Sequence, residues 1–299
     1  MRELAERFEA DRGHLQAVAF RMLGSMAEAE DAVQEAWIRL SRTDTSEVGN
    51  LSGWLTTVVA RLCLDTLRSR RARHEEPVEL HFPDPVVTAP GPEEEAELAD
   101  SVGLALLVVL ETMSPPERLA FVLHDLFAMP YDEIAPIAGR TTEATRQLAS
   151  RARRRVQGQP VVPDASPARQ REAVDAFLAA ARGGDFTALL EVLDPDVVLR
   201  SDRGAAGAIA VRGRETVAAQ AQTFWQYGAA GAVIRPALVN GVAGLVAFRD
   251  GKPFSVLAFT VTHGRIAAID ILADPDRLAR LDLSALDSAL DDSAPDEVR

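Results

Sequence analysis

The sequence predicts a multidomain chain, with two all-α domains followed by a C-terminal α+β cone. Three observations carry this. Apolar residues recur at a helical period through most of the first 158 positions, interrupted by a proline-bearing stretch at 75–92. Between Ser114 and Val156, short helices are broken at Pro130 and Gly139, and the last is dense in arginine, which is a helix-turn-helix arrangement. After Pro167 the texture changes to two short helices and then alternating apolar runs divided by hairpin turn residues.

At 299 residues the chain can hold two or three domains with cores of their own. A formal net charge of −13 argues against a protein that coats DNA indiscriminately, but the distribution matters more than the sum. Arg61, Arg68, Arg70, Arg71 and Arg73 face only Asp65, and a second basic patch runs from Arg146 to Arg155. The acids gather at 93–97 and 282–297. Two basic patches on an acidic chain fit a binder that a further partner holds on DNA. Cys63 is the single cysteine, so there is no disulfide within the chain and no zinc cluster; between Leu62 and Leu64 it reads as a small core residue. No signal peptide and no apolar run of membrane length is read, since 104–110 is too short. The expectation is a soluble, cytoplasmic chain with no membrane partner, no cofactor and no metal.

In order, residues 4–40 read as two helices broken at Gly24-Ser25, with Leu15, Val18, Ala19, Leu23, Ala32, Val33, Ala36, Trp37 and Leu40 as the apolar set. Glu28, Glu30 and Asp31 suit the N-terminus of the second. A polar loop spans 43–53, and 51–71 forms a helix with a basic end whose apolar register includes Trp54, Val58 and Leu62, which assigns Trp54 to the core. Five prolines make 75–92 an extended linker. Helix resumes at 93–111, Ser114-Pro115-Pro116-Glu117 starts another that runs to Leu126, and 131–138 follows. Gly139 turns the chain into a helix capped by Thr141 or Thr142, with Ala144, Leu148, Ala149 and Ala152 inward. Taken alone, this stretch favours DNA binding over the bland alternative, a helical hairpin with a solvated basic face. A second linker covers 157–167. Helices at 169–182 and 186–193, a strand at 197–201, a helix at 213–227 and strands at 232–238, 244–248, 254–262 and 266–272 make the cone. Its turns lie at 249–252 and 262–265, and the acidic, aromatic-free stretch 282–299 is expected to be disordered.

With this order visible, the first 158 residues resemble a bacterial extracytoplasmic-function (ECF) sigma factor. The resemblance rests on the run Ala29-Glu30-Asp31 to Leu40, on Gly53-Trp54-Leu55 through Arg61-Leu62-Cys63-Leu64-Asp65-Thr66-Leu67-Arg68, on Ser114-Pro115-Pro116-Glu117-Arg118 and on Tyr131-Asp132-Glu133-Ile134-Ala135. The remainder resembles the SnoaL-like cone (nuclear-transport-factor-2-like fold) of one subgroup, the sigma J type. Phe82-Pro83-Asp84-Pro85 and Asp274-Pro275-Asp276-Arg277-Leu278 resemble that subgroup's linker and cone motifs, the first only approximately. The subgroup's Trp-Leu-Pro-Glu-Pro wording and its glycine-lysine run near Asp202 are absent. The implied order is a region 2 domain at 1–74, a linker at 75–92, a region 4 domain at 93–158, a linker at 159–166, the cone at 167–281 and the tail at 282–299.

The resemblance implies core RNA polymerase and promoter DNA as partners. Asp31, Gln34, Glu35, Ile38 and Arg39 would meet the polymerase clamp helices, although the residues alone read as a solvated face. Arg61, Asp65, Arg68, Arg70 and Arg71 would serve the −10 element, where an unstacked base needs a pocket and the backbone needs cations. Arg61 stands where many relatives carry asparagine. On the −35 reader, Thr142, Glu143, Thr145, Arg146 and Arg151 are the exposed candidates, and Arg146 is assigned a bidentate guanine contact. Arg153, Arg154 and Arg155 would touch phosphates. The acids at 93–97 either imitate a transcript backbone or begin a helix. The cone leaves room for an unidentified small-molecule ligand, with Asp202, His263 and Asp270 the only obvious proton-transfer candidates. The favoured reading is a regulatory domain without catalytic residues, making its contact near Phe82, Pro83, Asp84 and Pro85 and near Asp274, Pro275, Asp276 and Arg277. The alternative is a small-molecule enzyme of cyclase or isomerase type with a DNA-targeting helical half.

Overall fold

The computed structural model describes residues 2–43, 48–73, 82–91, 103–157, 159, 163–164, 166–228 and 231–288. They fall into two units, Met1–Val78 with Leu107–Gln159, and Glu79–Leu106 with Pro160–Arg299. The acidic stretch at 93–97 and the tail beyond 288 lie outside the described residues; the start of the stretch expected to be disordered, 282–288, is ordered instead, with a short helix at Ser284–Ser288 that buries Leu286.

The helical unit begins with α1 (Arg2–Leu23), α2 (Met26–Arg42) and α3 (Leu51–Arg73). Gly24 (φ 72°) takes the left-handed turn between the first two, its amide closing on the Phe20 carbonyl at 2.8 Å. Leu15, Val18, Ala19 and Met22 of α1 are buried together with Ala29, Val33, Ala36 and Leu40 of α2 and with Leu55, Val59, Cys63 and Leu64 of α3. Burial pushes the Cys63 thiol up to about 12, so it stays an inert, protonated core group. Helix α4 (Leu104–Glu111) is apolar all round, and its residues from Leu104 to Leu110 are all buried.

Helix α5 (Pro115–Phe121) starts where the Glu117 carboxylate accepts the Ser114 amide (3.1 Å) and hydroxyl (2.7 Å). It passes into a π-helical turn at Val122–Leu126, where the sequence predicts one continuous helix. Next come α6 (Tyr131–Ala138), Gly139 at φ 66° and α7 (Thr142–Val156). Thr141 caps α7, its hydroxyl accepting the Ala144 amide at 3.2 Å.

The second unit is a seven-stranded sheet in the order β1-β4-β5-β6-β7-β2-β3. The strands are β1 (Val87–Thr88), β2 (Leu193–Asp202), β3 (Ala208–Arg212), β4 (Val233–Val239), β5 (Val242–Arg249), β6 (Lys252–Thr262) and β7 (Arg265–Leu272). Among the described strands only β2 and β7 run parallel. Tight turns at Asn240-Gly241, Asp250-Gly251 and His263-Gly264, all at positive φ, join β4 to β7 into a meander. Helices α8 (Pro167–Gly183), α9 (Phe186–Val192) and α10 (Arg214–Thr223) cover one face, and Phe177 meets Phe259 there at 5.5 Å. Two short helices, α11 (Pro275–Leu278) and α12 (Ser284–Ser288), follow the sheet. Asp164 is pinned to the β6–β7 turn, its carboxylate accepting the amides of His263 (2.9 Å) and Gly264 (2.8 Å).

Strand β1 was not foreseen. It comes from the stretch read as linker and pairs with β4, Val87 opposite Val239. Phe82 is fully buried, and Pro83 and Pro85 are buried beside it. Farther along the β4 edge stands Pro236, which has no N–H with which to recruit another strand.

Candidate nucleic-acid interface and linker latch

Helix α2 turns Ala29, Ala32, Ala36 and Leu40 inward and leaves Asp31, Gln34, Ile38 and Arg39 exposed, with Glu35 at the margin and 2.9 Å from Arg39. Ile38 is 39% exposed and Met26, twelve residues before it on the same ridge, 36%. Met26 escaped the sequence reading because a methionine at a helix start looks like any first-turn residue.

Helix α3 presents the ridge Trp54, Thr57, Arg61, one step off the stripe it buries. With Asn50 and Gly53 these residues line a cleft of about 400 Å³, whose opposite wall is Glu133, Pro136 and Ile137 of α6. Trp54 is therefore half-buried in a cleft wall and not in the core as predicted; Leu55 takes the core position. Among the predicted cations, Arg61, Arg68 and Arg71 are exposed. Arg68 lies 3.6 Å from Asp65 and reaches the Ala138 carbonyl at 3.5 Å. Arg70 is not a surface cation. It pairs with Glu28 and donates to the Leu23 carbonyl at 3.1 Å, bracing the α1–α2 junction. The Arg73 side chain lies outside the described residues.

On α7, Thr142, Arg146, Arg151 and Arg154 point outward, while Thr145, predicted to be exposed, is fully buried and donates to the Thr141 carbonyl at 3.0 Å. Arg146 holds Glu143 at 2.7 Å and lies over the Tyr131 ring at 5.6 Å. Arg153 also departs from its predicted role. Its Nε donates to Asp125 at 2.5 Å and its Nη2 to the Tyr131 hydroxyl, so it braces α7 against α6. Arg155 donates to the Thr112 carbonyl at 2.9 Å, and Arg151 lies 3.5 Å from Glu117. Burial alone would raise the Glu117 carboxyl, but hydrogen bonds from Ser114 with Arg155 and Arg151 nearby hold it below the usual range.

In the second unit the two proline motifs meet. Arg277, 7% exposed, donates through Nη2 to the Phe82 carbonyl (2.7 Å) and Asp84 (2.6 Å), through Nε to Asp84 (3.0 Å) and through Nη1 to Asp202 (2.7 Å). Asp274 caps α11, accepting the Asp276 amide at 2.9 Å, and its carboxylate fills the space where a Cβ on Gly204 (φ 58°) would lie. The Asn240 side chain and amide exchange hydrogen bonds with Val86 at 2.8 and 2.7 Å. Asp202 and Asn240 were missed as partners because each meets a residue far away in sequence, Arg277 at 75 positions and Val86 at 154.

The remaining proton-transfer candidates are dispersed. Asp270 is fully buried in a two-pronged pair with Arg200 (2.6 and 3.1 Å); burial pushes its carboxyl up and Arg200 pulls it back. His263 is exposed in its turn.

The Sigma-70 region 2 family matches residues 7–73, and the Sigma-70, region 4 family matches 103–156. The probable ECF RNA polymerase sigma factor SigI of Mycobacterium tuberculosis is 38% identical over 274 residues, covering 91% of this chain and 93% of the relative. The ECF RNA polymerase sigma factor SigJ of the same species is 39% identical over 288 residues, covering 90% and 91%. The chain belongs to the ECF RNA polymerase sigma factors. Its function is to direct RNA polymerase to promoters. The crystal structure of M. tuberculosis SigJ superposes with a TM-score of 0.71 at 36% identity, covering 93% of this chain and 99% of that one. The helices α1–α3 are thus region 2, and α5–α7 lie in region 4. No helix among the described residues is long and apolar enough to cross a membrane.

Proposed function

We propose that region 2 docks on core RNA polymerase through Asp31, Gln34, Ile38 and Arg39, takes a −10 base into the cleft of Trp54 and Arg61, and passes the strand along Arg68 and Arg71. Region 4 reads the −35 duplex with α7. The observation that carries this is the division of α7: Thr145, Leu148, Ala149 and Ala152 are buried, while Thr142, Arg146 and Arg154 are left in water. Arg146 lies near the N-terminal end, where such helices reach base edges; Arg154 lies at the far end, suited to phosphate.

The cone is a regulatory body. Its interior is filled by Phe177, Leu189, Val217, Phe259 and Ile269, and its buried carboxylates are occupied by guanidiniums, which supports regulation over catalysis or a resident small molecule. Its lever is the Arg277 latch, which takes up chain belonging to the connection between the two promoter readers.

The test is run-off transcription with core polymerase. Arg146→Ala loses promoter discrimination while core binding persists; Arg154→Ala weakens binding to all sequences and lowers the salt slope by about one. Wild-type transcription of the cognate promoter by Arg146→Ala would remove α7 as the reading surface.

A further inference from the structure

The cleft that region 2 offers to a −10 base has its opposite wall supplied by region 4 (Glu133, Pro136 and Ile137), and three other contacts among the described residues hold that wall in place, the first being Arg68 of α3, which reaches the Ala138 carbonyl at 3.5 Å. Arg118 of α5, 3% exposed, donates through one Nη1 to the Met22 carbonyl (2.9 Å) at the end of α1 and to Glu111 (2.7 Å). Phe127, just after the π-helical turn, stands edge-on to His14 at 5.2 Å and lies 4.8 Å beneath the Arg21 guanidinium. All of these contacts fall on the α5–α6 side of region 4. The outward face of α7 takes no part in them.

We propose that the helical unit masks its own −10 site: α6 walls the cleft while α7 stays open to duplex DNA. The proposal rests on the −10 reading given above. A single strand entering beside Trp54 brings phosphates with it, and the wall it meets carries the Glu133 carboxylate, which repels them. Binding must therefore displace the α5–α6 side of region 4, and the affinity observed is the intrinsic affinity multiplied by the fraction of molecules in which the wall has moved away. Among the described residues these contacts are one buried guanidinium, one exposed guanidinium, one aromatic edge and a short helix. They make an equilibrium that a nucleic acid or polymerase can shift, unlike a permanent lock. The two promoter elements are thereby ordered, with duplex contact through α7 available first and strand capture second.

The full-length chain tests this with a fluorescein-labelled single-stranded DNA of random sequence at fixed salt. Phe127→Ala and Ile137→Asp, which loosen the wall from two separate places, each bind the strand about tenfold tighter or more. Adding Arg61→Ala to either removes the gain. No gain in the loosened variants, with Arg61→Ala still weakening the wild type, overturns the masking and leaves the −10 reading intact. No effect of Arg61→Ala in any background overturns the −10 reading and, with it, the site to be masked. A gain that survives Arg61→Ala also overturns the masking, because the strand then binds elsewhere. Wild-type protein gives an arm that depends on no variant folding: the same strand lowers amide protection in α5 and α6, and unchanged protection at saturating strand overturns the proposal.

Discussion

Replacing Arg277 with methionine preserves the volume of the side chain and removes the charge that gathers Phe82, Asp84 and Asp202. Three losses follow. Asp84 is 46% exposed, so its pairing is screened and worth about 0–1 kcal/mol. The Phe82 carbonyl loses a buried partner, about 1–3 kcal/mol. Asp202, its side chain 10% exposed, is left charged without its guanidinium, and breaking such a pair costs roughly 3–5 kcal/mol. These share one side chain and do not add, so the expected change is about 3–5 kcal/mol, or roughly a hundredfold to a few thousandfold in the opening of the linker. The amides of Val86 and Asn240, which tie the linker to the sheet, report that opening by hydrogen exchange. Their protection falls by that factor while amides at the centre of β6 and β7 keep theirs. Arg277→Lys recovers only part, since an ammonium cannot reach three acceptors with the fork of a guanidinium. Wild-type protection at Val86 and Asn240 in Arg277→Met would refute the reasoning, placing the hold on the linker in Phe82 burial and β1 pairing.

Three further outcomes are expected. Ile38→Asp lowers affinity for core polymerase at least tenfold in competition binding while moving the unfolding of the helical unit by no more than about 0.5 kcal/mol; an unchanged affinity would remove α2 from the contact. Glu117 has its folded pKa depressed, so its contribution is complete above its unfolded pKa and is lost as pH falls through the folded value. The stability gap between wild type and Glu117→Gln in denaturant titrations is therefore wider at pH 6 than at pH 3, and a constant gap would contradict the assigned hydrogen bonds. Arg200→Met destabilises the cone by about 3–5 kcal/mol by stranding Asp270, and adding Asp270→Leu restores at least half in denaturant unfolding; equal losses in single and double variants would show that the pair is not the cause.

What could be read from the sequence follows from range. The breaks at Gly24, Pro130 and Gly139, the cap before α7 and the hairpin turns at Asp250 and His263 are local chemistry, and each stands where it was expected. The alternation Thr142-out, Leu148-in along α7 needs only its own period. Thr145 failed because its hydroxyl turned back to a carbonyl one turn earlier. Arg70 and Arg153 failed for another reason: in one dimension a bracing arginine is indistinguishable from a DNA-facing one, and only Glu28, Asp125 and Tyr131, brought in by folding, separate them. Strand β1 has two residues among prolines and carries no period at all. The pairing of the motifs at 82–85 and 274–277 was anticipated by resemblance, but its chemistry depends on Asp202, which no local pattern connects to either.

The separation between Asp84 and Arg277, 193 residues, is also an interval of time. At roughly 5–20 residues per second, a ribosome that has made Asp84 takes about 10–40 s to deliver Arg277. Both promoter readers are complete well before then, since α7 ends at Val156. Every newly made chain thus passes through a period, before Arg277 is made, in which its contacts to Phe82 and Asp84 cannot form. A message cut short, or a chain clipped ahead of Arg277, leaves a protein that has both readers and cannot latch.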